Sequence, residues 1–171
     1  AKGIQSMTPT RHALVLGGVG GGGGSLVYGN TLIRPLPSFF SHPVVAEIGG
    51  EERLSPYYEL AERMMGVIEN PCITRADALV RETAAEYGRE ETFQPSPVGV
   101  FFGEPGATVQ DPYFGGEGPE RVGCTRCGSC FVGCRVGAKN TLETNYLYFA
   151  EKLGVTIIPE TRVDRVVPTG S

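Results

Sequence analysis

Four of the chain's five cysteines fall between Gly123 and Asn140, in the stretch GCTRCGSCFVGCRVGAKN. Cys124, Cys127, Cys130 and Cys134 are spaced C-x-x-C-x-x-C-x-x-x-C, the run with which thiolates reach the corners of an iron-sulfur cube. Glycines at 123, 128, 133 and 137 suit that use, because backbone amides can then point at sulfur. Arg126, Arg135 and Lys139 add positive charge that favours thiolate. Three other readings stand beside the cluster. Structural zinc more often takes two separated C-x-x-C knuckles. Disulfides at such short spacing are strained unless the loop turns sharply. The thiols can also be structural and hold nothing. The proline that commonly follows the last cysteine of such a run is here Arg135, and such a run can share its ligands between two clusters.

The second candidate is the glycine run Gly17, Gly18 and Gly20 to Gly24, broken only by Val19. Consecutive glycines behind a strand let backbone N–H groups approach a phosphate or a ring face with no Cβ in the way. A flexible linker would be longer and more polar. The run lacks the dinucleotide-binding spacing of glycines and the acidic residue that belongs with it.

These residues need elements to position them. Within Met7 to Leu16, RHALVL reads as a short buried strand feeding the glycine turn, and Ser25 as the cap of a helical turn reaching Asn30. A helix is expected from Pro56 to Ile68, capped by Ser55, with Leu60, Met64 and Val67 on one face. Beside it a second helix follows the Thr74 cap, with Asp77 three residues on, Leu79, Val80, Ala84 and Tyr87 inward, and Gly88 closing it. TFQPSPVGVFFG reads as extended, its prolines placing the first half at a sheet edge. A third helix is expected from Asn140 to Lys152, and two short strands around Pro159.

The chain has 171 residues, enough for one domain with a core, and its net charge of -4 gives no electrostatic grip on nucleic acid. No apolar run is long enough to span a bilayer, so there is no membrane span, and no signal segment opens the chain, which leads to an expectation of a cytoplasmic protein. The abrupt end after the last strand leads to an expectation of a piece of a larger protein.

Taken together, RHALVLGGVGGGGGSLVYGNTLIRP, the cysteine stretch continued through TLETNYLYFAEKLGV, and the closing ETRVDRVVP resemble an internal piece of a glucose-methanol-choline oxidoreductase, in its cholesterol-oxidase-like branch. The resemblance implies an FAD enzyme that oxidises an alcohol. Its fold class would be α/β or α+β: an incomplete piece of an FAD-binding Rossmann-type domain, part of a substrate or cap region, and a ferredoxin-like cysteine loop. Four segments follow from it: residues 1–34 contacting FAD, 35–122 forming the cap portion, 123–140 the four-cysteine loop, and 141–171 returning to the FAD domain. Carried over by the resemblance as FAD contacts are Gly22, Gly23, Gly24, Ser25, Leu26, Tyr28, Gly29 and Asn30, with Val163 on the adenine side. Cys124, Cys127, Cys130 and Cys134 are the metal ligands if a 4Fe-4S cluster is present. The partners implied are a small-molecule alcohol and an electron acceptor, either oxygen or a redox protein. The family's catalytic histidine lies outside this sequence, and His12 and His42 read as structural or surface residues. The competing reading is an iron-sulfur electron-transfer or metal-binding module without flavin.

Overall fold

The computed structural model describes residues 3–168, so Ala1, Lys2 and Thr169 to Ser171, the ends of the first and last expected segments, lie outside it. The chain begins with an antiparallel hairpin of β1, Gln5–Pro9, and β2, Leu14–Gly18, with Gln5 opposite Gly18 and Pro9 opposite Leu14. The strand expected over RHALVL forms only from Leu14 onward, as β2, and gains β1 as its partner. Thr10, Arg11 and His12 are too polar for a buried strand and supply a turn, in which the Thr10 hydroxyl donates to the Ala13 carbonyl at 2.8 Å. The expected burial is also absent: Leu14, Val15 and Leu16 are exposed.

Three helices follow, α1 at Pro37–Phe40, α2 at Pro43–Glu47 and α3 at Gly50–Met64. Helix α3 starts well before the expected Ser55 cap and carries Pro56 inside it. Glu51 and Glu52 in its first turn and Arg63 in its last complement the helix dipole, which supports the earlier start. Arg34 clamps this helix through two bonds to the Glu62 carboxylate, each 2.6 Å. Helix α4, Arg75–Glu86, has the expected grammar: the Thr74 hydroxyl accepts from the Asp77 N–H while the Asp77 carboxylate accepts from the Thr74 N–H, and Gly88 follows in a left-handed conformation. Its apolar face is not inward, since Leu79, Val80 and Tyr87 are exposed, and α4 packs on the short turn Glu90–Thr92.

The segment 96–102 is the spine of the molecule. Within it β4, Pro97–Val98, pairs antiparallel with β3, Ile68–Glu69, while Val98 bridges Thr31 and Val100 bridges Lys139. Of the half expected at an edge only Pro97 enters a strand, and at Pro97–Val98 the chain has partners on both sides. Pro97 is tolerated there because its carbonyl, not the missing N–H, is used, accepting from Leu32 N–H at 2.9 Å. Val98, Val100 and Ala138 form the buried core, with Phe102, Cys124, Cys134 and Val136 packed against it. A third antiparallel pair, β5 at Thr108–Val109 and β6 at Arg121–Val122, lies beyond.

The helix expected over Asn140 to Lys152 is broken into a 3-10 turn, Leu142–Thr144, and α5, Tyr146–Lys152. Asn145 makes the break, with φ -142° and ψ -96°, because its side chain accepts from Tyr146 N–H and caps α5. The two strands expected around Pro159 do not form. Ile158, Val163, Val166 and Val167 are apolar but exposed, and no strand among the described residues pairs with them. The architecture is mixed, with small two-stranded sheets that are all antiparallel rather than the parallel sheet of a Rossmann-type domain, and it is compatible with an incomplete piece. Among the described residues no helix is long and apolar enough to cross a membrane.

Candidate functional site

The sequence GAKNTLETN places its polar residues in the interior: Lys139, Asn140 and Asn145 are each no more than 2% exposed, and Arg121 is 1% exposed. A buried charge must be hydrogen-bonded to be tolerated. The Lys139 ammonium donates to three carbonyls, Leu26 at 2.9 Å, Tyr28 at 3.1 Å and Cys130 at 2.8 Å, and lies 4.7 Å from the centre of the Tyr28 ring. It therefore ties the segment after the glycine run to the cysteine loop. Arg121 donates to the Asn140 side chain at 2.9 Å and to the carbonyls of Pro119, Glu120 and Thr144, while the Asn140 amide donates to Met65 carbonyl. Neither Lys139 nor Arg121 takes part in any of the five ion pairs among the described residues. Burial pulls the Lys139 ammonium below its ordinary value, and the Cys130 and Cys134 sulfurs oppose that.

Cys124, Cys127, Cys130 and Cys134 all line one cavity of about 260 Å³, and Cys72, from the segment before α4, reaches the same cavity. All five are free thiols, so the disulfide reading has no bridge in this structure. Three sulfurs accept an N–H: Cys124 from Arg126 backbone at 3.3 Å, Cys134 from Lys139 backbone at 3.4 Å, and Cys130 from the Asn30 side-chain amide at 3.0 Å. Burial pushes the Cys124 thiol up, whereas the neighbouring polar groups of Ser129 hold the exposed Cys127 thiol down. Among the described residues no three His, Cys, Asp or Glu side chains stand close enough to hold one metal ion. Among the described residues the four cysteines thus line a shared space without three of them converging on one point.

The glycine run ends in a 3-10 turn, Gly23–Leu26. Ser25 lies within this turn instead of capping it: its hydroxyl donates to Gly22 carbonyl at 2.8 Å and accepts from Leu142 N–H at 3.0 Å. The glycines divide by what surrounds them. A Cβ on Gly18 would fall on the Gly23 carbonyl, so that position is glycine for the packing of the turn itself. A Cβ on Gly23 or Gly24 would meet nothing within 4 Å, so bare backbone there faces open space. Bare backbone of this kind leaves room for a flat ring or diphosphate to approach. Tyr28 donates its hydroxyl to Asn140 carbonyl at 2.8 Å, and its phenol is pushed up by burial first, then by Cys130 and Tyr113. Asn30 holds a left-handed φ of 66°.

Leu26 and Lys139 also border a second, open cavity of about 900 Å³, together with Gln5, Arg135 and Glu143. The structure thus joins Ser25, Leu26, Tyr28 and Asn30 to the cysteine loop and the Lys139 hub. Gly29 stands apart from that bare backbone, with its Cβ direction toward Phe131 at 3.6 Å, and Val163 lies exposed in the irregular terminal segment. His12 sits in the hairpin turn and His42 at the N-cap of α2, outside both cavities. The roles of Arg121, Asn140 and Asn145 were not read from the sequence. Their only signal was a dense polar stretch just before an apolar helix, which a solvated loop also gives.

Comparison with known proteins gives relatives along almost the whole chain. Cholesterol oxidases of two Mycobacterium tuberculosis strains, CDC 1551 / Oshkosh and H37Rv, are each 51% identical over 167 residues, covering 94% of this chain and 29% of theirs. A cholesterol oxidase of Acinetobacter baumannii is 42% identical over 171 residues, covering 97% of this chain and 31% of its own. No family model matches the chain. No solved structure matches it either. The chain spans under a third of the length of these curated relatives. The glycine turn, the Lys139 hub and the cysteine loop all lie within the shared stretch, so the chain is similar along almost its whole length to one part of these cholesterol oxidases.

Proposed function

We propose that this chain is part of an FAD-dependent oxidoreductase that oxidises the hydroxyl group of a sterol-like alcohol, with Gly22, Gly23, Gly24, Ser25, Leu26, Tyr28, Gly29 and Asn30 along the flavin. The observation that carries the reading is the open backbone at Gly23 and Gly24, in a stretch that the relatives named cholesterol oxidase share. Bound flavin supplies a hydride acceptor for the alcohol carbon. The chain's own residues bind and orient. Ser25 fixes the turn that offers the backbone, and Lys139 holds the Leu26 and Tyr28 carbonyls so that the segment keeps one shape. Tyr28, stacked under the Lys139 ammonium and bonded to Asn140, stays a neutral phenol that fills space and excludes water. The proton of the alcohol goes to a base elsewhere in the protein, and Val163 is assigned to the adenine side.

The four-cysteine cavity is read as the seat of a 4Fe-4S cluster held by Cys124, Cys127, Cys130 and Cys134. Support comes from the shared cavity, from the N–H donors at three sulfurs, and from the buried Lys139 charge that has no carboxylate partner. Electrons would then pass to a redox partner; without a cluster, oxygen or a soluble acceptor takes them. The test is anaerobic addition of a sterol alcohol to the full-length protein. Bleaching of the flavin absorption with one ketone formed per flavin is expected, and a flavin that stays oxidised contradicts the assignment.

A further inference from the structure

We infer that Asn30 is a positioning residue for the cysteine loop, its side-chain amide holding the Cys130 sulfur and raising the reduction potential of the group bound there. The inference rests on the cluster reading above. Cys124 and Cys134 take their N–H bonds from backbone within or just after the loop, so those bonds come with the loop's own turns. Cys130 differs. Its donor is a side chain 100 residues away in sequence, at 3.0 Å, on the segment assigned to the flavin. That geometry is held from both sides. Asn30 stands in a left-handed conformation, φ 66°, which asparagine tolerates better than most residues, and its carbonyl accepts from Gly99 N–H at 2.9 Å on the spine. The Cys130 carbonyl is fixed in turn by the Lys139 ammonium at 2.8 Å. Asn30 and Cys130 both line the thiol cavity, so the N–H···S bond lies at its wall.

An N–H directed at a cluster sulfur stabilises the more negative, reduced state and raises the potential. Because the donor sits on the flavin-side segment, the two redox groups share one rigid connection. Asn30→Gly is the clean variant, since glycine keeps the left-handed backbone and removes only the amide. Asn30→Asp keeps the shape and replaces the donor with a carboxylate facing sulfur. The experiment is a potentiometric titration of the full-length protein, reconstituted anaerobically with iron and sulfide and followed by electron paramagnetic resonance. Asn30→Gly is expected to lower the reduction equilibrium constant about tenfold, about 59 mV for one electron, with Asn30→Asp lower still. Potentials unchanged in both variants, or the opposite order, overturn the inference while leaving the cluster in place. Wild-type protein that takes up no iron and sulfide overturns the cluster reading and this inference together. Retention of cluster by Asn30→Asp at the wild-type potential also overturns it, whatever Asn30→Gly does.

Discussion

Lys139 is the residue on which most of the site converges, because one ammonium satisfies carbonyls from both the segment after the glycine run and the cysteine loop. Replacing it by methionine keeps the volume and leaves the part-buried Leu26 and Tyr28 carbonyls without this donor, each costing about 1–3 kcal/mol, while the Cys130 carbonyl keeps only Gly133 N–H at 3.4 Å. Lys139→Met is expected to lower the thermal midpoint more than any exposed lysine substitution does, by calorimetry. Asp111 gives a second prediction at this scale. Its carboxylate accepts N–H bonds from Tyr113, Phe114, Gly116 and Gly118. Partial burial works to raise its pKa, but these four bonds outweigh it and hold the carboxyl below its ordinary value. A lowered folded value means that stability is present above the unfolded pKa, near 4. It is lost as pH falls through the folded value. Asp111→Asn is therefore expected to lose on the order of 1–3 kcal/mol at neutral pH and to erase part of the acid-side decline. A decline identical to wild type in acid melts would contradict this.

Elements here are short, and several are held by polar side chains rather than by apolar stripes. Gly66, just after α3, shows the tolerance involved: its φ is 54°, and a Cβ there would come within 2.7 Å of the Asn140 amide and also strike the Tyr113 ring. Gly66→Ala is expected to destabilise by about 2 kcal/mol or more, measured by chemical denaturation, because strain and a clash act together. The same feature explains what the sequence made legible. Helix α4 could be read because Thr74, Asp77 and Gly88 act within a turn of one another, and local capping needs no distant partner. The start of α3 could not, since Ser55 and Pro56 imitate a cap while the helix continues back to Gly50. The terminal strands failed for the reverse reason: Val163 and its neighbours have β propensity, but a ladder needs an edge from another segment. In the site, the four closely spaced cysteines line one cavity. The Asn30 bond to Cys130 was invisible because nothing in local pattern links residues 100 apart.

At the scale of the whole molecule, a small core of Val98, Val100 and Ala138 contrasts with exposed apolar side chains along Leu14, Val15, Leu16 and Val19 and from Leu153 to Val167. Patches of this kind mark surfaces meant to be covered. The curated relatives are more than three times as long as the stretch they share with this chain. Expressed alone, residues 1–171 are expected to bind a hydrophobic dye strongly and to associate in size-exclusion chromatography. A compact, dye-silent monomer would show that the hairpin and the terminal segment need no cover.

The central claim is that open backbone at the end of the glycine run lies against FAD, and Gly24 isolates it. A Cβ there meets nothing within 4 Å among the described residues, so Gly24→Val is expected to change the melting of the flavin-free full-length protein little. Titration of FAD into flavin-free wild type and Gly24→Val is the direct measurement. At least tenfold weaker binding by the variant, about 1.4 kcal/mol, is expected; equal affinity in the two, or a wild type that binds no FAD, would contradict the account.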